Sequence, residues 1–141
     1  MRLVAVVAGA AFASASLLSG CGDGGTTTTQ PPGAASDLVA KGAGLVQVKP
    51  CLVCHTTNGG SSAGPTFAGL AGSRVTLSDG TTVTADDAYL KRSIIDPGAQ
   101  TVAGFPKGLM ATLVPPNSIT TLQAAAIVAF LDTLGVNKPA K

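Results

Sequence analysis

Three side chains within five residues could do redox or metal chemistry: Cys51, Cys54 and His55, in the run Cys51-Leu52-Val53-Cys54-His55. Thiols at i and i+3 share one face of a helical turn, and the imidazole follows at once. This C-x-x-C-H pattern is the attachment signal for a c-type haem. Each sulfur can form a thioether with one vinyl group of the same porphyrin, and His55 can then point at the iron. The competing readings are a dithiol redox pair or half of a zinc site. Zinc needs a third or fourth ligand, yet the sequence offers one further cysteine, Cys21, and no second histidine. A thioredoxin-like dithiol needs a βαβ context, and none is visible. The pattern predicts one haem c, bound covalently through Cys51 and Cys54.

Met110 is the single methionine besides Met1. It falls in the stretch Ala99 to Asn117, which carries Gly104, Pro106, Gly108, Pro115 and Pro116 and shows no clear period. Loops of that length without structure are usually functional. A thioether facing a haem is a natural sixth ligand, and a Met/His pair raises the reduction potential; the alternative for Met110 is core filler. A ligating histidine commonly hands its second ring N–H to a carbonyl, which fixes its tautomer. The neighbourhood of Pro65 can offer such a carbonyl, although Pro65 also reads as a plain turn former.

Positioning these groups falls to a small domain. At 141 residues the chain is one domain plus accessories. Four Phe, one Tyr and no Trp leave few large side chains for a core, which is marginal for a domain of about 100 residues. A covalently held haem would supply the missing apolar bulk. The 45% hydrophobic content owes much to an apolar N-terminus and does not indicate a membrane protein. Net charge is +2, and the basic residues are scattered rather than clustered, which argues against nucleic acid.

Residues 1–20 have a basic start at Arg2, an apolar stretch from Leu3 to Leu18, and serines at 14, 16 and 19. This reads as a secretory signal. The run Leu18-Ser19-Gly20-Cys21 resembles a bacterial lipobox, with cleavage before Cys21 and lipid on its sulfur. The alternative is an ordinary signal peptide that leaves Cys21 a free thiol. The lipobox reading accounts for the odd cysteine: one thiol takes lipid and two take haem. Residues 21–36 are small, polar and proline-containing, and read as a solvated tether with an r.m.s. span of about 20 Å and a taut limit of roughly 50–55 Å. Two acyl chains would anchor it stably, placing the domain on the extracytoplasmic side of a bacterial membrane.

The folded part is expected over 37–136, with a tail at 137–141. A first helix runs Asp37 to Val48, capped by Ser36 or Asp37, with Gly42 and Gly44 allowing another helix to approach. Lys49-Pro50 ends it. A proline turn at Pro65 leads into a short apolar helical piece to Gly72. Alternation around Asp79-Gly80 predicts a hairpin with a type I′ turn. Thr84 with Asp87 resembles a capping box for a helix that stops at Asp96-Pro97-Gly98. The last helix starts at Thr120, with Gln123 completing a capping box, and ends at Gly135. Leu122, Ala125, Ala126, Ala129, Phe130 and Thr133 follow the spacing of one buried face.

With these residues placed, the chain from about Ser36 to Gly135 resembles a class I cytochrome c. More narrowly, the run Gly72 to Leu90, then Ser93 to Pro97 and Val102 to Pro106, is similar to the cytochrome c domain of subunit II in caa3-type cytochrome oxidases. The resemblance implies an all-α fold of about three to five helices around one haem, with a short β-hairpin insertion. It also implies haem attachment through Cys51 and Cys54, His55 as proximal ligand, Met110 as distal ligand, the Pro65 carbonyl orienting His55, and a helix crossing at Gly42 and Phe130. Two features depart from the family. Val46 stands where an aromatic is usual, and the pattern G-x-P-x-x-M-P appears as Gly104 to Ala111, one residue longer and without the second proline.

The implied function is single-electron transport between membrane redox complexes, with a quinol-oxidising complex as donor and a terminal oxidase as acceptor. Such a carrier needs no catalytic acid or base. Lys49 and Lys107 flank the haem-binding segments and could steer toward an acidic partner. Two alternatives remain: a haem enzyme or gas- or peroxide-binding sensor with a labile sixth ligand, and a fixed haem subunit of a larger complex.

Overall fold

The computed structural model describes residues 33–60 and 62–135. The expected signal peptide, Cys21, nearly all of the tether and the tail lie outside the described residues. The described chain forms four α-helices and a two-stranded antiparallel sheet, the small all-α architecture with a short hairpin that the sequence predicts. Among the described residues, no helix is long and apolar enough to cross a membrane.

Helix α1 spans Ala34–Val48. It starts ahead of Asp37 because Ala34 and Ala35 are strong helix formers and the Asp37 N–H already donates to the Gly33 carbonyl at 3.1 Å. Ser36 caps nothing, since its hydroxyl donates to that same carbonyl at 2.7 Å. The helix stops where Lys49 turns extended (ψ 154°), the conformation a following proline imposes.

Helix α4, Thr121–Thr133, opens with both halves of the expected capping box: the Thr120 hydroxyl accepts from the Gln123 N–H, and the Gln123 side chain accepts from the Thr120 N–H. Its buried face is not the one the spacing predicts. Ala124, Ala126, Ile127, Val128 and Leu131 are buried, while Leu122 is 78% exposed. The helix is apolar around most of its circumference, so several registers of i, i+3, i+4 fit equally well. It buries two sides, with Ala126 and Phe130 toward α1 and Ile127 and Leu131 toward a cleft.

Gly42 makes the α1–α4 crossing possible. A Cβ there would overlap the backbone carbonyl of Ala126 and come within 2.9 Å of Phe130 Cβ. Gly44, expected to share this role, faces open space. Val46 is fully buried in the core.

Strands β1, Arg74–Thr76, and β2, Thr82–Thr84, pair with Val75 opposite Val83. The turn between them is not type I′. That form needs positive φ at both central residues, and among the described non-glycine residues only Asn117 has one. Instead the Gly80 N–H donates to Leu77 O at 2.9 Å, the Leu77 N–H donates to Thr81 O at 2.8 Å, and Gly80 sits at φ +86°. This is a three-residue loop closed by a glycine bulge. Asp79 shapes it by accepting from the Thr81 N–H and hydroxyl, bonds that hold its carboxyl below the usual range.

Helix α2, Asp87–Ile95, is capped by Asp86, whose side chain accepts from the Tyr89 N–H at 2.8 Å. Thr84 is unavailable as the cap because β2 claims it opposite Arg74. Two further segments differ from expectation. After Pro65 the chain makes turns rather than a helix, since Gly69 and Gly72 both take positive φ. Within Ala99 to Asn117, Leu77 bridges to Val102, and a short helix α3 forms over Leu109–Leu113.

Candidate functional site

Pro50 opens a 3₁₀ turn, Pro50–Val53, directly after the extended Lys49. In this geometry side chains at i and i+3 eclipse, so Cys51 and Cys54 lie on one side. The Cys54 and His55 N–H groups both donate to the Cys51 carbonyl, at 3.2 and 3.0 Å, which fixes where the imidazole emerges. Burial pushes the Cys51 thiol up, against smaller lowering effects from its backbone hydrogen bond and Lys49.

Cys51, Cys54 and His55 line an apolar cleft that opens to solvent. Helix α2 contributes Leu90 and Ile94, α4 contributes Ile127 and Leu131, and α3 brings Met110 to the same cleft. Pro65 lines it as well. The structure thus gathers every predicted site residue that it describes.

The His55 ring has one defined role for each nitrogen. Nδ1 lies 2.6 Å from the Pro65 carbonyl. A carbonyl can only accept, so the proton resides on Nδ1 and the lone pair on Nε2. Phe67 stacks on the ring with centroids 4.5 Å apart and planes 14° from parallel. Burial lowers the His55 pKa from its ordinary 6.5, partly opposed by the Pro65 bond. Burial thus favours the uncharged imidazole, the form whose Nε2 lone pair can bind a metal.

Two residues here escaped the sequence reading. The Gly64 N–H donates to the Cys54 carbonyl at 2.7 Å, and a Cβ on Gly64 would lie 2.7 Å from His55 Cε1 and 2.9 Å from Nδ1. The signal was a glycine immediately before Pro65; its cause, contact with the imidazole, is tertiary. Phe67 left no signal beyond its apolar character. Gly64→Ala is expected to push the imidazole off the Pro65 carbonyl and cost about 1–3 kcal/mol, as overpacking of a filled site does. A denaturant midpoint measured with the haem spectrum checks this, and an unchanged midpoint and spectrum would contradict it.

The donor set fits a haem attached through two thioethers. Two thiols share one side of a turn, an imidazole tied through Nδ1 to Pro65 presents Nε2, and the surrounding cleft is apolar enough to take a porphyrin. No group of three or more His, Cys, Asp or Glu side chains suited to a metal ion exists among the described residues. The zinc alternative therefore has no ligand set there. No curated protein matches the chain. A family model described as Cytochrome c matches residues 39–135, a span that runs from within α1 to just past α4 and takes in the whole cleft. On that match the chain belongs to the cytochrome c family, whose haem c it binds covalently through Cys51 and Cys54.

Proposed function

We propose that the protein is a single-electron carrier in which His55 Nε2 and the Met110 sulfur are the two axial ligands of the haem iron. Haem-based electron transfer follows from the family; the ligand pair and the physiological role are the finer reading. The haem supplies a one-electron redox centre whose potential a Met/His pair raises. The rest is done by the chain. The Pro65 carbonyl holds the imidazole in one tautomer, Phe67 supports its face, and α3 offers a thioether on the same cleft. That His55 and Met110 share one apolar cavity is the observation that carries the reading.

The partners we infer are membrane redox complexes, a quinol-oxidising donor and a terminal oxidase acceptor. A lipid on Cys21 would keep the domain on the extracytoplasmic side of a bacterial membrane. The hairpin followed by α2 supports kinship with the cytochrome c domain of caa3-type oxidases. Val48, Leu52 and Val53 stay exposed around Cys51, beside the half-buried Lys49, which supports weak, small-area docking at the attachment turn.

The test is an absorption spectrum of the haem-loaded domain, oxidised and reduced, with and without carbon monoxide. A sulfur-to-iron charge-transfer band and no carbon monoxide binding are expected. Rapid carbon monoxide binding without that band would replace the carrier with a gas- or peroxide-binding protein.

A further inference from the structure

Thr66 stands between two residues that touch the His55 ring: Pro65, whose carbonyl takes the Nδ1 proton, and Phe67, which stacks on the imidazole. Its own side chain is not part of the cleft wall. It turns away into the loop that follows His55 and meets three groups there, besides the Ala68 N–H of its own segment. The hydroxyl donates to the Thr56 carbonyl at 3.1 Å. It accepts from the Gly59 N–H at 3.1 Å and, at a longer 3.3 Å, from the Ala68 N–H, and its oxygen lies 2.9 Å from that of the Thr56 hydroxyl. The Thr56 carbonyl also accepts from the Phe67 N–H at 2.7 Å, and the Thr56 hydroxyl reaches the Gly60 carbonyl at 2.7 Å.

The residue following the iron-facing histidine is thereby stitched to the residue following the proline. Two strands of loop run side by side. Cys54 O to Gly64 N and Thr56 O to Phe67 N form the outer rungs, the His55–Pro65 bond lies between them, and the Thr66 hydroxyl locks the far side. Pro65 has no N–H, so its own backbone cannot fix the position of its carbonyl by donating a bond. The neighbouring side chain takes over that task.

We propose that Thr66 is a positioning residue for the axial imidazole. Its hydroxyl sets the distance and angle of the Pro65 carbonyl to His55 Nδ1, and through that bond the electron-donating strength of Nε2. A tighter Nδ1–H···O=C bond makes an imidazole more basic toward a metal, which favours the oxidised iron and lowers the reduction potential. Loosening the bond works in the opposite direction. The inference rests on His55 being an axial ligand.

Thr66→Val keeps the shape and removes the hydroxyl, while Thr66→Ser keeps the hydroxyl and removes the methyl. Both are compared with the parent as haem-loaded protein, by redox titration and by NMR of the His55 ring. In Thr66→Val the midpoint potential is expected to rise, and the Nδ1 proton to exchange roughly five- to tenfold faster, the factor a lost hydrogen bond of ordinary strength represents. Thr66→Ser is expected to restore both to near the parent values. A Thr66→Val protein with parental potential and parental exchange would overturn the proposal, even if it melted earlier, because Thr66 would then be a loop pin alone. The ligand assignment is read separately. His55 ring C–H resonances without the porphyrin's large ring-current shift would refute His55 ligation itself, whatever the Thr66 variants do.

Discussion

Met110→Ala is expected to abolish the sulfur-to-iron charge-transfer band, open the iron to carbon monoxide and lower the reduction potential by on the order of 0.1 V or more, within the about 0.8 V that axial ligands span. The effect should be confined to the site, because α3 does not depend on the thioether for its shape. Gly108 starts the helix at φ +77°. The Thr112 N–H and hydroxyl both reach the Gly108 carbonyl at 3.2 Å, and the Val114 N–H donates to the Met110 carbonyl at 2.8 Å. Val114 is itself buried in the core, so the C-terminal end of α3 stays anchored. Alanine is also the best helix former. Absorption spectra, carbon monoxide titration and a redox titration of parent and variant check all three effects. An unchanged potential, with carbon monoxide still excluded, would show that Met110 fills the cleft without binding iron.

The chemistry of this site was legible because it is written in adjacent residues. Cys51, Cys54 and His55 are contiguous enough that one turn of backbone brings them together, and no tertiary information is needed to predict it. The capping box at Thr120 and Gln123 was readable for the same reason. What the sequence misplaced depends on competition between distant segments. Thr84 has the character of a cap, but pairing with Arg74 removes it, and Asp86 takes over. Asp79-Gly80 suggests a two-residue turn; the pairing of Thr76 with Thr82 leaves five residues between the strands, and only a bulge at Gly80 closes them. The α4 face failed because alanines surround the helix and hide its period. The second layer of the site, Gly64, Thr66 and Phe67, was least visible. Gly64 and Phe67 meet the His55 ring from across a loop and Thr66 reaches it only through Pro65, and small polar or apolar residues in a turn carry no mark of that.

The two glycines of α1 show the same limit and permit a sharp test. As sequence they are alike, two residues apart in one helix, and each weakens it by about 1 kcal/mol relative to alanine. Gly42→Ala must place a methyl where the Ala126 carbonyl already stands. Backbone cannot swing aside as a side chain can, so α1 must move off α4, and this is the most extensive helix contact in the fold. Overpacking of that kind costs roughly 1–3 kcal/mol and sometimes more, and a clash with backbone belongs at the upper end. After the gain in helix propensity, the variant is expected to lose about 2 kcal/mol, on the order of 10 °C in Tm for a domain of this size. Gly44→Ala meets nothing within 4 Å, so it keeps the propensity gain alone and is expected to add about 0.4–1 kcal/mol. Thermal unfolding of the two haem-loaded variants, followed by circular dichroism, should therefore shift in opposite directions. Equal shifts of the same sign would mean that α1 does not cross α4 at Gly42. Because Phe130 Cβ also crowds that point, Gly42→Ala combined with Phe130→Ala should recover little: the obstruction is the Ala126 carbonyl, which no side-chain truncation removes.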